Sequence, residues 1–204
     1  MKAKLKWFFE SFIWLFVLGL VIDIVTKIVI KTNMTEGQSN VIIPHFFAIT
    51  FSYNDAAAFG MGFSNPEINR WIYIVVALIA TGVILFFYIR NIKKYGMFLK
   101  ACLMSILVGA LGNLVDRIFY GRVVDFLDFF GIWHAIFNVA DSFIVVGTIM
   151  LIVYLIISEV KDFKAKKALE KPEEQGKVLS KTEQEMLEDS EESVKEPKDD
   201  KVEN

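Results

Sequence analysis

Residues 71–89, WIYIVVALIATGVILFFYI, run for 19 positions without one charged side chain. A hydrocarbon core of about 30 Å is crossed by about 20 helical residues, so a stretch of this length and composition belongs in a bilayer. Trp71 and Tyr73 stand at one end of it, where amphipathic rings favour the membrane interface. Three further apolar runs obey the same rule, at about 8–30, 97–115 and 135–157. The expected fold is a mainly α membrane protein: four transmembrane helices with a small β-containing extracytoplasmic segment. Composition agrees, since 54% of the 204 residues are hydrophobic and 19 are Phe, too apolar for an ordinary soluble domain. The one cysteine, Cys102, lies inside an apolar run, so no intrachain disulfide can form.

The charges give the runs an orientation. Lys2, Lys4 and Lys6, then Arg90, Lys93 and Lys94, then Lys161, Lys164, Lys166 and Lys167 fall on one side; Lys31, Arg70, Arg117 and Arg122 fall on the other. By the positive-inside rule both termini are expected in the cytoplasm, with the loops 31–70 and 116–134 on the outer face. The first run shows no small-residue exit before Lys31 and reads as a retained helix rather than a cleaved leader. Residues 1–157, with 12 Lys/Arg against 9 Asp/Glu, are expected to form the working domain. Residues 158–204, with 10 against 15, read as a charged cytoplasmic tail, disordered or loosely helical.

Ionisable groups near membrane depth are rare and expensive, and they mark function by default. Asp23 and Lys27 lie four apart on one face of the first helix, where they can pair and point into the bundle. The pair is either a structural ion bridge or the edge of a functional cavity. Asn113, Asp116 and Arg117 share a face at the outer end of the third run, and Asn138 and Asp141 share one in the first turns of the fourth. Between these runs, Val123, Asp125 and Leu127 alternate with Val124, Phe126 and Asp128, the period of an extended segment. A second alternation sets Phe47, Ile49, Phe51 and Tyr53 against Ala48, Thr50 and Ser52, and predicts a strand leading into the small-residue loop YNDAAAFGMG at 53–62.

Two carboxylates held close in a low-dielectric cleft share a proton, one serving as base and the other as acid. That chemistry suits this supply of aspartates. Other schemes lack residues: His45 and His134 have no cysteine partner, and neither HExxH nor GxSxG occurs. A small ion or proton transporter using Asp23, Lys27, Asp116 and Asp141 as a relay is the competing reading, although the two halves of the chain share no motif order of the kind repeated transporters show.

Several motifs stand together in one order: Asp23 in the first run, YNDAAAF at 53–59, GNLVDR at 112–117, GRVVDF at 121–126 and FNVADSFIVVG at 137–147. In these the chain resembles the lipoprotein signal peptidases, signal peptidase II, bacterial intramembrane aspartyl proteases, over about residues 23–147. The resemblance implies Asp125 and Asp141 as the catalytic dyad, and Asp23, Asn54, Asn113, Arg117 and Asn138 as residues that orient it or hold substrate. It implies a prolipoprotein substrate whose cysteine carries a diacylglyceryl group and is cut just before that cysteine. It further implies a multi-pass protein of the bacterial cell membrane in contact with lipid, with its active site toward the outer face. No cofactor, metal or nucleic acid is expected. One departure stands out: Ala56 occupies the place of the family's glycine in the loop after Asn54. Asp55 is a further candidate carboxylate there, while Asp116 and Asp128 read as structural or exposed acids.

Overall fold

The computed structural model describes residues 2–55, 65–133 and 135–194. Contacts divide the chain into two units, Met1–Tyr154 and Leu155–Asn204. The elements run α1 (Lys2–Glu10), α2 (Ile13–Asn33), β1 (Ser39–Ile43), β2 (Phe47–Asn54), α3 (Pro66–Asn91), α4 (Met97–Tyr120), β3 (Val123–Asp128), β4 (Ile136–Phe137) and α5 (Val139–Val194). Four helical stretches are long and apolar enough to span a membrane: α2, α3, α4 and the Val139–Lys167 part of α5. This is the architecture expected, mainly helical with four membrane-length helices and a small β-sheet, here antiparallel.

The helix ends depart from the expected ones for local reasons. The first run breaks at Ser11–Phe12, where Phe12 adopts a left-handed φ of 56°. The Ser11 carbonyl released by the break accepts the hydroxyl of Tyr88 from α3. Helix α3 starts at Pro66, five residues ahead of the uncharged stretch. Asn65 caps it, its side chain accepting from Glu67 N–H at 2.9 Å, and proline at the first helical position needs no donor. Helix α4 runs past 115 to Tyr120, so Asp116 and Arg117 are helical residues. It stops at Gly121, whose φ of 78° closes the last turn with its N–H on Arg117 O.

Helix α4 is the centre of the first unit, packing against both α2 and α3. On α2 the buried residues Gly19, Asp23 and Lys27 fall at successive four-residue steps, a single stripe turned inward. Small residues let the start of α5 approach α4. A Cβ on Gly112 would lie 2.5 Å from Asp23 Oδ2 and 2.9 Å from Ala140 Cβ, so that glycine makes the space Asp23 fills.

The sheet has the order β1-β2-β3-β4, all neighbours antiparallel. The expected alternation along β2 is broken by a register shift between Ile49 and Ser52, which brings Ser52 opposite Asp125 and Asn54 opposite Val123. Phe51, Val124 and Phe126 form its buried core, against Ile30 of α2, Met34 just past its end and Val139 of α5. Strand β1 was not foreseen in the polar 31–70 loop; it is a short outer strand with no buried position.

Candidate active site

The start of α5 organises the site. Asn138 is not within the helix, as its spacing from Asp141 suggested, but caps it. Its Oδ1 accepts from Asp141 N–H at 2.9 Å, and its own N–H donates to Asp141 Oδ2 at 3.2 Å. This is a reciprocal capping box with Asp in the acidic position. The next free amide of the turn, Ala140 N–H, donates to Asp23 Oδ1 at 2.8 Å, so a carboxylate from α2 serves the same helix end.

Because the Asn138 oxygen is spent on the cap, its amide nitrogen points away from the helix. It donates to Asp125 Oδ1 at 2.7 Å and to Asn113 Oδ1 at 3.1 Å. Asn113 in turn donates to Asp141 Oδ1 at 2.7 Å. The second oxygen of Asp125 accepts from Asn54 at 2.9 Å. Asp125 and Asp141 are thus held by one set of amides from β2, α4 and the α5 cap. Asp125 is buried, and burial, with the Asp141 charge behind it, pushes its carboxyl up to about 7. The bonds from Asn54 and Asn138 and the Lys27 charge act in the opposite direction.

Lys27 is the hub beneath this layer. Its ammonium lies 2.8 Å from Asp23 Oδ2, 3.1 Å from Asp116 Oδ2 and 3.2 Å from Asn113 Oδ1, three acceptors for three protons. All four side chains are buried. Asp116 also accepts from Val124 N–H at 3.1 Å and so ties β3 to α4 one residue before Asp125. From sequence, Lys27 pairs with Asp23 or joins Asp116 in a transporter relay, and Asp116 is otherwise a structural or exposed acid; the structure makes it a structural one. The four-residue spacing was the signal for the first contact; nothing local announced the other two.

Arg117 sits in the last turn of α4, its NH1 donating to Asn113 O at 3.4 Å and its guanidinium 5.1 Å from the Tyr73 ring. Asp141 and Asp125 are both within its electrostatic reach. Asp128 does not join the pair: it accepts from Thr50 at 2.7 Å, farther along the sheet. Asp55 is exposed. The expected small-residue loop from Ala56 through Gly62, and His134, lie outside the described residues.

Four membrane-length helices, with a buried carboxylate and amide network drawn from α2, α4, two strands and the start of α5, define a multi-pass membrane protein with an enzyme-like site. The family model for signal peptidase (SPase) II matches residues 15–157, and the chain belongs to that family. It is 39% identical to a lipoprotein signal peptidase of Clostridioides difficile (strain 630) over 150 residues, covering 74% of this chain and 97% of that one. Identity to a lipoprotein signal peptidase of Staphylococcus aureus (strain Newman) is 38% over 153 residues, 74% of this chain and 91% of the relative. Among solved structures, a bacterial membrane enzyme determined at 2.3 Å aligns with a TM-score of 0.65 at 34% identity, over 72% of this chain and 88% of the other. A second, at 1.9 Å, aligns with a TM-score of 0.61 at 35% identity, over 70% and 90%. The protein is therefore a membrane peptidase, and the transporter reading has no observation in its favour.

Proposed function

We propose that the chain is an aspartic endopeptidase that removes signal peptides from diacylglyceryl-modified prolipoproteins, with Asp125 and Asp141 as its catalytic pair. The observation that carries this is the shared amide frame: Asn138 contacts both carboxylates, and Asn113 and Asn54 each hold one of the remaining oxygens. A frame of this kind presents two carboxyls to one reacting bond without supplying a competing nucleophile or base.

In the working state one proton is shared by the pair. The burial of Asp125 favours its protonated form, which leaves Asp141 as the base. Asp141 takes a proton from water as the oxygen attacks the scissile carbonyl. Asp125 hydrogen-bonds the developing oxyanion; Asp141 then passes the proton it took from water to the amine nitrogen as the C–N bond breaks, which returns the pair to one proton. Asp23, Lys27 and Asp116 touch no reacting atom in this scheme and act through the α5 cap, Asn113 and β3. Arg117, in the last turn of α4, holds a substrate carbonyl or headgroup in this reading. The working domain is residues 1–157, with the remainder dispensable for chemistry. The site faces outward across a bacterial cell membrane and both termini face the cytoplasm.

The test is direct: detergent-purified protein is given a diacylglyceryl-modified and an unmodified precursor peptide. Cleavage just before the cysteine in the modified peptide alone is the expected result. Cleavage of both would remove the lipid-recognition part of the proposal, and cleavage of neither the whole of it.

A further inference from the structure

The far end of the sheet carries an apolar tip that none of this chemistry uses. It is built from two turns. One joins β1 to β2 through Pro44, His45 and Phe46, with His45 in a left-handed φ of 61°. The other follows β3 at residues 129–133, where Ile132 and Trp133 N–H both donate to Phe129 O at 2.8 Å. The turns are fastened together: Gly131 N–H donates to Phe46 O at 3.4 Å, and any Cβ on Gly131 would collide with the His45 carbonyl oxygen. Phe129 packs edge-on against Phe46 and stacks on Phe137. This is a built body rather than a loose loop.

His45 is exposed in the first turn, and the other outward side chains are apolar. Ile132 is 70% exposed, Val41 and Ile42 59% each, and Trp133 and Phe46 add aromatic rings. Residues 39–51 and 129–137 contain no Asp, Glu, Lys or Arg. An uncharged, exposed outer strand is an association hazard in water, which charged or covered edges normally remove. Here a bilayer is at hand to supply the cover, because the sheet is joined directly to the ends of helices long and apolar enough to span one. Aliphatic and aromatic side chains without charge, Trp among them, are what the boundary between headgroups and acyl chains accepts.

We propose that this tip enters the lipid leaflet on the dyad's own side of the membrane, a fifth anchor that lies in the interface instead of crossing it. The partner is the acyl-chain boundary of a phospholipid leaflet. Strand β3 connects the tip to Asp125 within three residues of its Asp128 end, so the tip fixes the depth of the dyad relative to the membrane surface. A substrate held in the bilayer by its acyl chains is thereby met at a constant height.

The experiment uses the full chain in phospholipid nanodiscs with an environment-sensitive dye on Ile132→Cys, on Val41→Cys and, as the comparison site, on Glu36→Cys at the other end of the hairpin. Wild-type protein, whose one cysteine is the fully buried Cys102, is the labelling blank. Phosphatidylcholine bearing a nitroxide near the headgroup should quench the Ile132 and Val41 labels at least threefold more than the Glu36 label, with aqueous iodide giving the reverse order. Equal iodide access at all three sites would overturn the proposal. So would tip labels shielded from both quenchers together with a cross-linked dimer, which would assign the tip to a second copy of the chain. A kinetic arm, which rests on the peptidase reading, compares Ile42→Ser with wild type on a lipidated precursor. KM should rise severalfold in nanodiscs with kcat unchanged and show no change in detergent; an equal KM in both media would contradict the depth-setting role. The quenching result stands or falls without any peptidase activity.

Discussion

The two ends of the sheet differ in almost every physical respect. At one end, where β2 and β3 meet the helices, Asp125 is buried and accepts hydrogen bonds from Asn54 and from Asn138. At the other, Val41, Ile42 and Ile132 lie exposed with no charged residue among their neighbours in sequence. The first end is a set of polar groups that must all be satisfied at once, since buried polar atoms and charges are costly when unpaired. The second is an apolar surface whose members act separately through area. Substitutions should therefore be large and coupled at the first end, small and additive at the second.

Lys27→Met should have the largest effect on the fold. It leaves Asp23 and Asp116 facing each other without their shared cation, and removing one partner of a buried pair costs about 3–5 kcal/mol. Thermal unfolding in detergent should show it, together with loss of activity. A melting temperature like that of wild type would mean that Lys27 is not the hub.

Asn138→Ala should come next. It removes the helix cap, worth about 1 kcal/mol, and strips Asp125 and Asn113 of a donor. Activity should fall much further than stability, by about 10²-fold if the amide orients the dyad as positioned groups generally do. Parallel losses in both would reduce Asn138 to a cap.

The pH profile sharpens the electrostatic half of the contrast. With its carboxyl raised to about 7, Asp125 keeps its proton below that value and loses it above. If the protonated form is the acid, kcat/KM declines on the alkaline side beyond about pH 7. Activity still rising at pH 9 would assign the proton elsewhere. The smallest effect belongs to the tip, where Ile42→Ser should change stability in detergent by about 0.5 kcal/mol or less, as exposed substitutions do.

How much of this was legible in the sequence follows the same division. The spans could be read because a 19-residue uncharged run has few alternatives, and Asp23 with Lys27 because four-residue spacing is local. Asn138 and Asp141 were legible as neighbours, but their three-residue spacing fits both a helix face and a capping box. Only the start of α5 at Val139 decides between the two. The bonds from Lys27 to Asn113 and from Asp116 to Val124 N–H join residues of different elements, which no spacing encodes. Strand β1 escaped notice because Val41, Ile42 and Ile43 are consecutive apolar residues without alternation, and because the membrane that would explain their exposure is not a feature of the chain.

The central claim is that Asp125 and Asp141 do the chemistry, and one measurement bears on it most directly. Asp125→Asn and Asp141→Asn, each purified with wild-type melting behaviour, are assayed on a diacylglyceryl-modified precursor. Each should lose activity by about 10³-fold or more, as removal of a group acting in a catalytic unit does. Cleavage within tenfold of wild type by either variant would contradict the dyad.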